Sequence, residues 1–164
     1  MDDEAFTPRI VAFCCNWCSY AGADLAGVSR LQMPPDFHVV RVMCSARVAP
    51  EWIIKALSDG IDGVMVLGCH IGDCHYTSGN HRAAKRFALL KELLTYIGIH
   101  PDRLLVDWVS ASEARKFQRL VTQFIGRVRE LGPVCSQARE APATEHPGQQ
   151  ALPHGERQDT CPRS

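Results

Sequence analysis

The chain reads as a single α/β domain: a four-stranded parallel sheet with a helix after each strand, Rossmann- or flavodoxin-like in type. Three observations predict this. Short runs rich in β-branched residues alternate with stretches of helical periodicity from residue 9 to 132. The connections between them are a few residues long, as βαβ units allow. Three of the apolar runs also finish in cysteine, which parallel strands would gather on one edge, where open α/β sheets hold their ligands.

The first strand is expected over Ile10 to Phe13, leading into Cys14-Cys15-Asn16-Trp17-Cys18. A small-residue helix follows from Ser19 to Arg30, with Leu25 and Val28 at helical spacing. Gly22 and Gly27 each weaken it by about 1 kcal/mol relative to alanine, so close approach to the sheet is their expected role. Pro34-Pro35-Asp36 turns the chain into a second strand, Val39 to Met43, which delivers Cys44. Pro50 opens a helix with Trp52, Ile53, Ala56 and Leu57 on one face, closed by Gly60. The third strand, Gly63 to Leu67, runs into Gly68-Cys69-His70-Ile71-Gly72-Asp73-Cys74-His75.

Ser78 or Asn80 can cap a long helix with a stripe of Phe87, Leu90, Leu94 and Ile97, ending at Gly98. Pro101-Asp102 leads to a fourth strand, Leu104 to Val109. Ser110-Ala111-Ser112-Glu113 is a capping box for a last helix bearing Phe117, Leu120, Val121, Phe124, Val128 and Leu131. Three segments follow: an extension over 1–8, the domain over 9–132, and a tail over 133–164. The tail carries four prolines past residue 133, no aromatic residue and no periodicity, and is expected to stay disordered, Cys135 and Cys161 with it.

With 46% hydrophobic and 22% charged residues in 164, the chain can build one ordinary core. Its 18 basic and 18 acidic residues cancel, so the balance signals neither nucleic acid nor an anionic membrane. No apolar run approaches the roughly 18 residues of a membrane span. The acidic Met1-Asp2-Asp3-Glu4 start is unlike a secretory signal, and a cytoplasmic protein is expected.

Eight cysteines in a reducing compartment point to metal or redox chemistry more than to disulfides. Cys14 reads as a small core residue, because strand alternation turns it away from Cys15. The C-x-x-C of Cys15 and Cys18, the C-x4-C of Cys69 and Cys74, and Cys44 at a matching strand end together mark a metal centre. A structural zinc module would have two knuckles and little other core. A thioredoxin-like dithiol would leave Cys44, Cys69 and Cys74 unexplained, and a nucleophilic cysteine paired with His70 or His75 would lack a group to orient its base.

An iron-sulfur cluster suits four scattered thiolates. Helix starts after Cys18, Cys44 and Cys74 would aim positive ends and free amide donors at the anionic centre. Arg41, Arg47, His70 and His75 lie nearby in sequence, and Gly68 and Gly72 are expected to let amides approach the sulfurs. Trp17 and Trp52 are expected to pack beside the site. No glycine-rich dinucleotide fingerprint follows any strand, and no second cysteine set is present, so one redox centre without substrate chemistry reads as a relay.

Cys15-x-Trp17-Cys18-Ser19-Tyr20-x-Gly22-Ala23-Asp24, Arg41-Val42-Met43-Cys44-Ser45, Gly68-Cys69-His70-x-Gly72-Asp73-Cys74-His75-Tyr76 with Gly79-Asn80, and Asp107-Trp108-Val109-Ser110-Ala111-Ser112-Glu113 resemble the delta subunit of methyl-viologen-reducing hydrogenase. The resemblance runs from about Ile10 to Pro133. It implies a [2Fe-2S] cluster and a cysteine set of Cys15, Cys18, Cys44, Cys69 and Cys74, one more than four ligand positions need. Cys15, Cys18, Cys69 and Cys74 are the favoured ligands, with Cys44 as the alternative. It also implies anaerobic metabolism of the methanogenic kind. Electrons would pass between a [NiFe] hydrogenase, or a formate dehydrogenase, and the flavin-containing A subunit of heterodisulfide reductase. Cys14 and the tail fall outside the family pattern.

Overall fold

The computed structural model describes residues 6–134. Of the expected disordered tail, Pro133 and Val134 are described, and Val134 is ordered against the domain, buried with its amide bonded to Asp62; the rest, with Cys135 and Cys161, lies outside the described residues. The strands are β1 (Ile10–Cys15), β2 (Phe37–Val42), β3 (Gly63–Gly68) and β4 (Leu104–Trp108), all parallel, in the order β2-β1-β3-β4. The helices are α1 (Ser19–Val28), α2 (Pro50–Ser58), α3 (Gly79–Tyr96) and α4 (Ala114–Leu131). The expected α/β architecture is present.

β3 is buried along its whole length, as the near-continuous apolar run of a central parallel strand requires. Alternation along β1 divides the core. Ile10, Ala12 and Cys14 pack with α1 and α4, beside Phe117, Val121, Ile125 and Val128. Phe13 faces the other way, into a cluster with Ile53 and Leu57 of α2 and Ala83, Phe87, Leu90 and Leu94 of α3. The core role expected of Cys14 is the observed one.

Several local readings need correction. β1 runs two residues past Phe13, so Cys15 is itself the last strand residue. α1 buries Ser19, Gly22 and Ala26, while Val28 is 75% exposed and Leu25 is exposed too. The small face wins because α1 lies close to the segment after β4. A Cβ on Gly22 would stand 2.8 Å from the Ser110 carbonyl oxygen, whereas Gly27 faces open space. Trp52 is half exposed and leans on Phe13 at a centroid distance of 6.3 Å, so α2 seals the core with Ile53 and Leu57 instead. Ile97 lies past the end of α3 and is exposed, and Gly98 follows at φ 82°, the left-handed conformation that stops a helix.

The capping box forms only on one side. The Ser110 amide donates to the Glu113 carboxylate at 2.8 Å, but the Ser110 hydroxyl pairs with Ser112, and α4 starts after Glu113. Among the described residues no helix is long and apolar enough to cross a membrane.

Candidate metal centre

In this strand order the chain winds from β1 outward to β2, then crosses back to β3 on the other side of β1. The crevice beyond the carboxyl ends of β1 and β3 is therefore the switch point of the sheet. Cys15 ends β1 and Cys69 directly follows β3, and their Sγ atoms are 3.7 Å apart. Ser19 ties the two strand ends together, accepting from the Cys15 amide at 2.8 Å and donating to the Leu67 carbonyl at 2.6 Å.

Cys18 stands at the N-cap of α1, where serine or aspartate would normally fold back onto the helix. Its side chain makes no cap bond and turns to the crevice instead. The ligand atoms of Cys15, Cys18 and Cys69 all lie within 4.8 Å of one another, and all three residues are buried. Cys44 repeats the arrangement at the N-cap of a single 3-10 turn, Ser45–Arg47. Its Sγ meets that of Cys74 at 3.9 Å. Two thiolates on one tetrahedral ion with bonds of about 2.3 Å stand about 3.8 Å apart, so both sulfur pairs are spaced for metal binding.

The thiols differ in acidity for local reasons. The Cys18 thiol donates to Cys15 and, against the effect of burial, lowers it to about 6. Cys18 is raised because losing its proton would forfeit that bond, and burial adds to the rise. Burial also raises Cys44 and Cys69. Cys74 is lowered: burial opposes this, but the amides of Tyr76, Asn80 and Gly79 at the start of α3 face its sulfur. Cys14, on the other face, is pushed up to about 12 by burial. Hydrogen bonding thus favours the thiolate at Cys15 and Cys74, and burial disfavours it at Cys44 and Cys69.

The comparisons with known proteins bear on this crevice. A family model described as methyl-viologen-reducing hydrogenase, delta subunit, matches residues 10–132. The chain belongs to that family. It is 52% identical over 130 residues to the iron-sulfur D subunit of the F420-non-reducing hydrogenase of Archaeoglobus profundus, covering 79% of this chain and 95% of the relative. It is 47% identical over 130 residues to the iron-sulfur D subunit of the vhc F420-non-reducing hydrogenase of Methanococcus voltae, covering 79% of this chain and 90% of the relative. The A subunit of the ferredoxin:CoB-CoM heterodisulfide reductase of Methanosarcina mazei is 49% identical over 138 residues, 84% of this chain but 17% of that longer one.

In this delta-subunit family member the fold brings together Cys15, Cys18 and Cys69 as a triad and Cys44 with Cys74 as a pair. The helix starts expected after Cys18, Cys44 and Cys74 are present, the second as a 3-10 turn. The histidines have separate employments. His70 Nε2 lies 2.6 Å from Glu113, and His75 stacks on Trp17 at 3.8 Å between centroids. The Ser110 amide and, after it, His70 hold the Glu113 carboxyl down at about 2. Arg41 sits over the Tyr20 ring rather than at the thiols. Trp17 does lie beside the site, donating to the Tyr76 hydroxyl, whereas Trp52 packs against Phe13.

The glycine expectation is misplaced. A Cβ on Gly68 would collide with Ser45 and Trp108, and one on Gly72 would meet nothing. Gly79 is the glycine at the sulfurs: a Cβ there would meet the Cys44 and Cys74 Sγ atoms, the latter at 3.0 Å. Asn80, read as a possible cap, is fully buried and donates to the Cys69 and His70 carbonyls at 3.3 and 2.5 Å. It holds the cysteine loop against α3. Ser19, Gly79 and Asn80 stood in the motifs that carry the family resemblance but were given no role at the site; their packing against the thiols and strand ends shows only in the fold.

Proposed function

We propose that this chain is an electron-relay subunit. It holds a [2Fe-2S] cluster and passes electrons between a hydrogenase, or a formate dehydrogenase, and the flavin-containing A subunit of a heterodisulfide reductase. The observation that carries this is the set of five buried thiols beyond the carboxyl ends of the strands, a triad at the switch point and a Cys44–Cys74 pair, with sulfur separations of 3.7 and 3.9 Å suited to metal binding. The heterodisulfide reductase relative supports the partner. A segment like this chain occupies 17% of that polypeptide, so a free protein of the same sequence type has a natural place beside it.

Cys15, Cys18, Cys69 and Cys74 are the proposed ligands. Cys74 is preferred to Cys44 because three amides favour its thiolate, while burial raises the Cys44 thiol. A second arrangement rests on the 3.9 Å separation: Cys44 and Cys74 both ligate, and one thiol of the triad is spare. When bound, the cluster would supply one-electron redox chemistry with no bond made or broken. The chain's own part is to exclude water, orient the sulfurs through Ser19 and Asn80, and donate amides to the anionic centre. A relay of this kind works in the cytoplasm of an anaerobe.

The test is anaerobic reconstitution of the full chain, followed by mixing with a heterodisulfide reductase flavoprotein of the A-subunit type. Brown protein with about two iron and two sulfide per chain is expected, with cluster reoxidation coupled to flavin reduction. Colourless protein carrying stoichiometric zinc would overturn the cluster and favour a structural interaction module. Metal-free protein with a titrating dithiol would favour the thioredoxin-like alternative. An intact cluster, bound to the flavoprotein with a favourable potential gap and no transfer, would overturn the relay.

A further inference from the structure

Two clefts that share no lining residue open at the surface beside the thiols. One, of about 290 Å³, opens on Cys18 and Cys69 and is bordered by Trp17, His70 and Asp73. The other, of about 630 Å³, has Cys44 in its wall and Met43, Arg47, Tyr76 and Arg82 around it. The second differs sharply in charge. No carboxylate lines it. Arg47 and Arg82 are exposed, and neither makes an ion pair or a side-chain hydrogen bond among the described residues.

Two other cations near this edge are already engaged. Lys116 bonds Asp107 and the Trp108 carbonyl, and Arg86 bonds the carbonyls of Ala46 and Val48. The same cleft is lined by two large exposed side chains, Met43 at 57% and Tyr76 at 48%. Methionine, tyrosine and arginine are the residues enriched where protein surfaces bind one another. With formal net charge zero for the whole chain, a local excess of positive charge steers only what meets that spot.

We propose that the cleft beside Cys44 is a docking site for an acidic segment of a redox partner, carboxylates to Arg47 and Arg82 and an apolar side chain against Met43 and Tyr76. The word redox rests on the relay reading; the cleft's preference for an acidic peptide does not. Charge of this kind governs encounter more than final affinity, so the interaction is salt-sensitive.

The experiment is calorimetric titration of the reconstituted full chain with a short oligoglutamate peptide at low salt. Binding that weakens with added salt is expected. The pair Arg47→Glu and Arg82→Glu should weaken it by about tenfold or more, and the gentler Arg47→Gln and Arg82→Gln should weaken it in the same direction. Arg115→Glu with Arg119→Glu, an equal charge change on the exposed side of α4, should leave it within about twofold. Circular dichroism confirms that each variant is folded. Equal loss in both reversed pairs, or no binding by the parent chain, overturns the proposal. So does tighter binding on changing Glu140, Glu145 and Glu156 to glutamine, which would make the chain's own acidic residues the occupant. Oligoglutamate binding at the cleft with no electron exchange to the flavoprotein would instead count against the relay alone.

Discussion

The two edges of the sheet handle buried polar groups in opposite ways. At the amino edge, Arg103 is fully buried and donates to the carbonyls of Asp62, Leu131 and Gly132, the Asp62 and Gly132 bonds both at 2.8 Å. Asp62, equally buried, accepts from the amides of Arg9 and Val134. These bonds join the starts of β1, β3 and β4 to the end of α4, and burial lowers Arg103 without leaving it unpartnered. At the carboxyl edge the thiols of Cys15 and Cys69, and of Cys44 and Cys74, have mainly each other and a few amides. A closed polar network stabilises, whereas a cluster of donors and acceptors left with capacity to spare is set up to bind something. The comparison teaches where to look for stability and where for function.

The largest effects should come from the thiol edge. Cys15→Ser and Cys18→Ser are expected to abolish cluster binding, read as iron content after reconstitution, while Cys14→Ser leaves the absorption spectrum unchanged. Among Cys44, Cys69 and Cys74, one substitution should be tolerated. Loss of iron in all three would mean that both sulfur groups are needed entire.

Arg103→Ala attacks the other edge. It strands three carbonyls in the interior and removes the counter-charge facing the amide-bonded Asp62 carboxylate, and should cost about 3–5 kcal/mol in denaturant unfolding. The comparison breaks if the folded fraction of this variant also loses its iron, because the two edges would then be one network.

Gly79→Ala sharpens the contrast by turning a local rule against a tertiary one. Helix propensity alone predicts a gain of up to about 1 kcal/mol. The added Cβ would instead press on the Cys44 and Cys74 sulfurs. The metal-free chain should keep its melting temperature within a few degrees, because a free thiol can turn aside. Reconstituted iron content should fall, because a bound one cannot.

The smallest effect is expected at the surface of the amino edge, where Arg127 pairs with Asp102 at 2.7 Å and lowers its pKa. A carboxylate with a depressed folded pKa stabilises the fold above its unfolded pKa, near 3.8, and loses that contribution as pH falls through the folded value. Asp102→Asn should therefore be slightly less stable than the parent at neutral pH and converge with it in acid. A constant gap down to the lowest pH would show that the pair acts through packing and not through charge.

Sequence by itself determined the alternation of strands and helices, because hydrophobic period is a property of a few neighbouring residues. It also determined that Cys15, Cys44 and Cys69 stand at strand ends, and that Cys14 points away. It misjudged α1, Trp52 and Ile97, where apolar side chains stay exposed because no neighbouring element covers them. Arg103 and Asp62 carried no motif at all. What only the tertiary structure decided is which thiols meet. Cys15 and Cys69 are 54 residues apart in the chain and Cys44 and Cys74 are 30 apart. They become neighbours because β1 pairs with β3 on one side and β2 on the other, an order set by how the helices pack across both faces and written in no single segment.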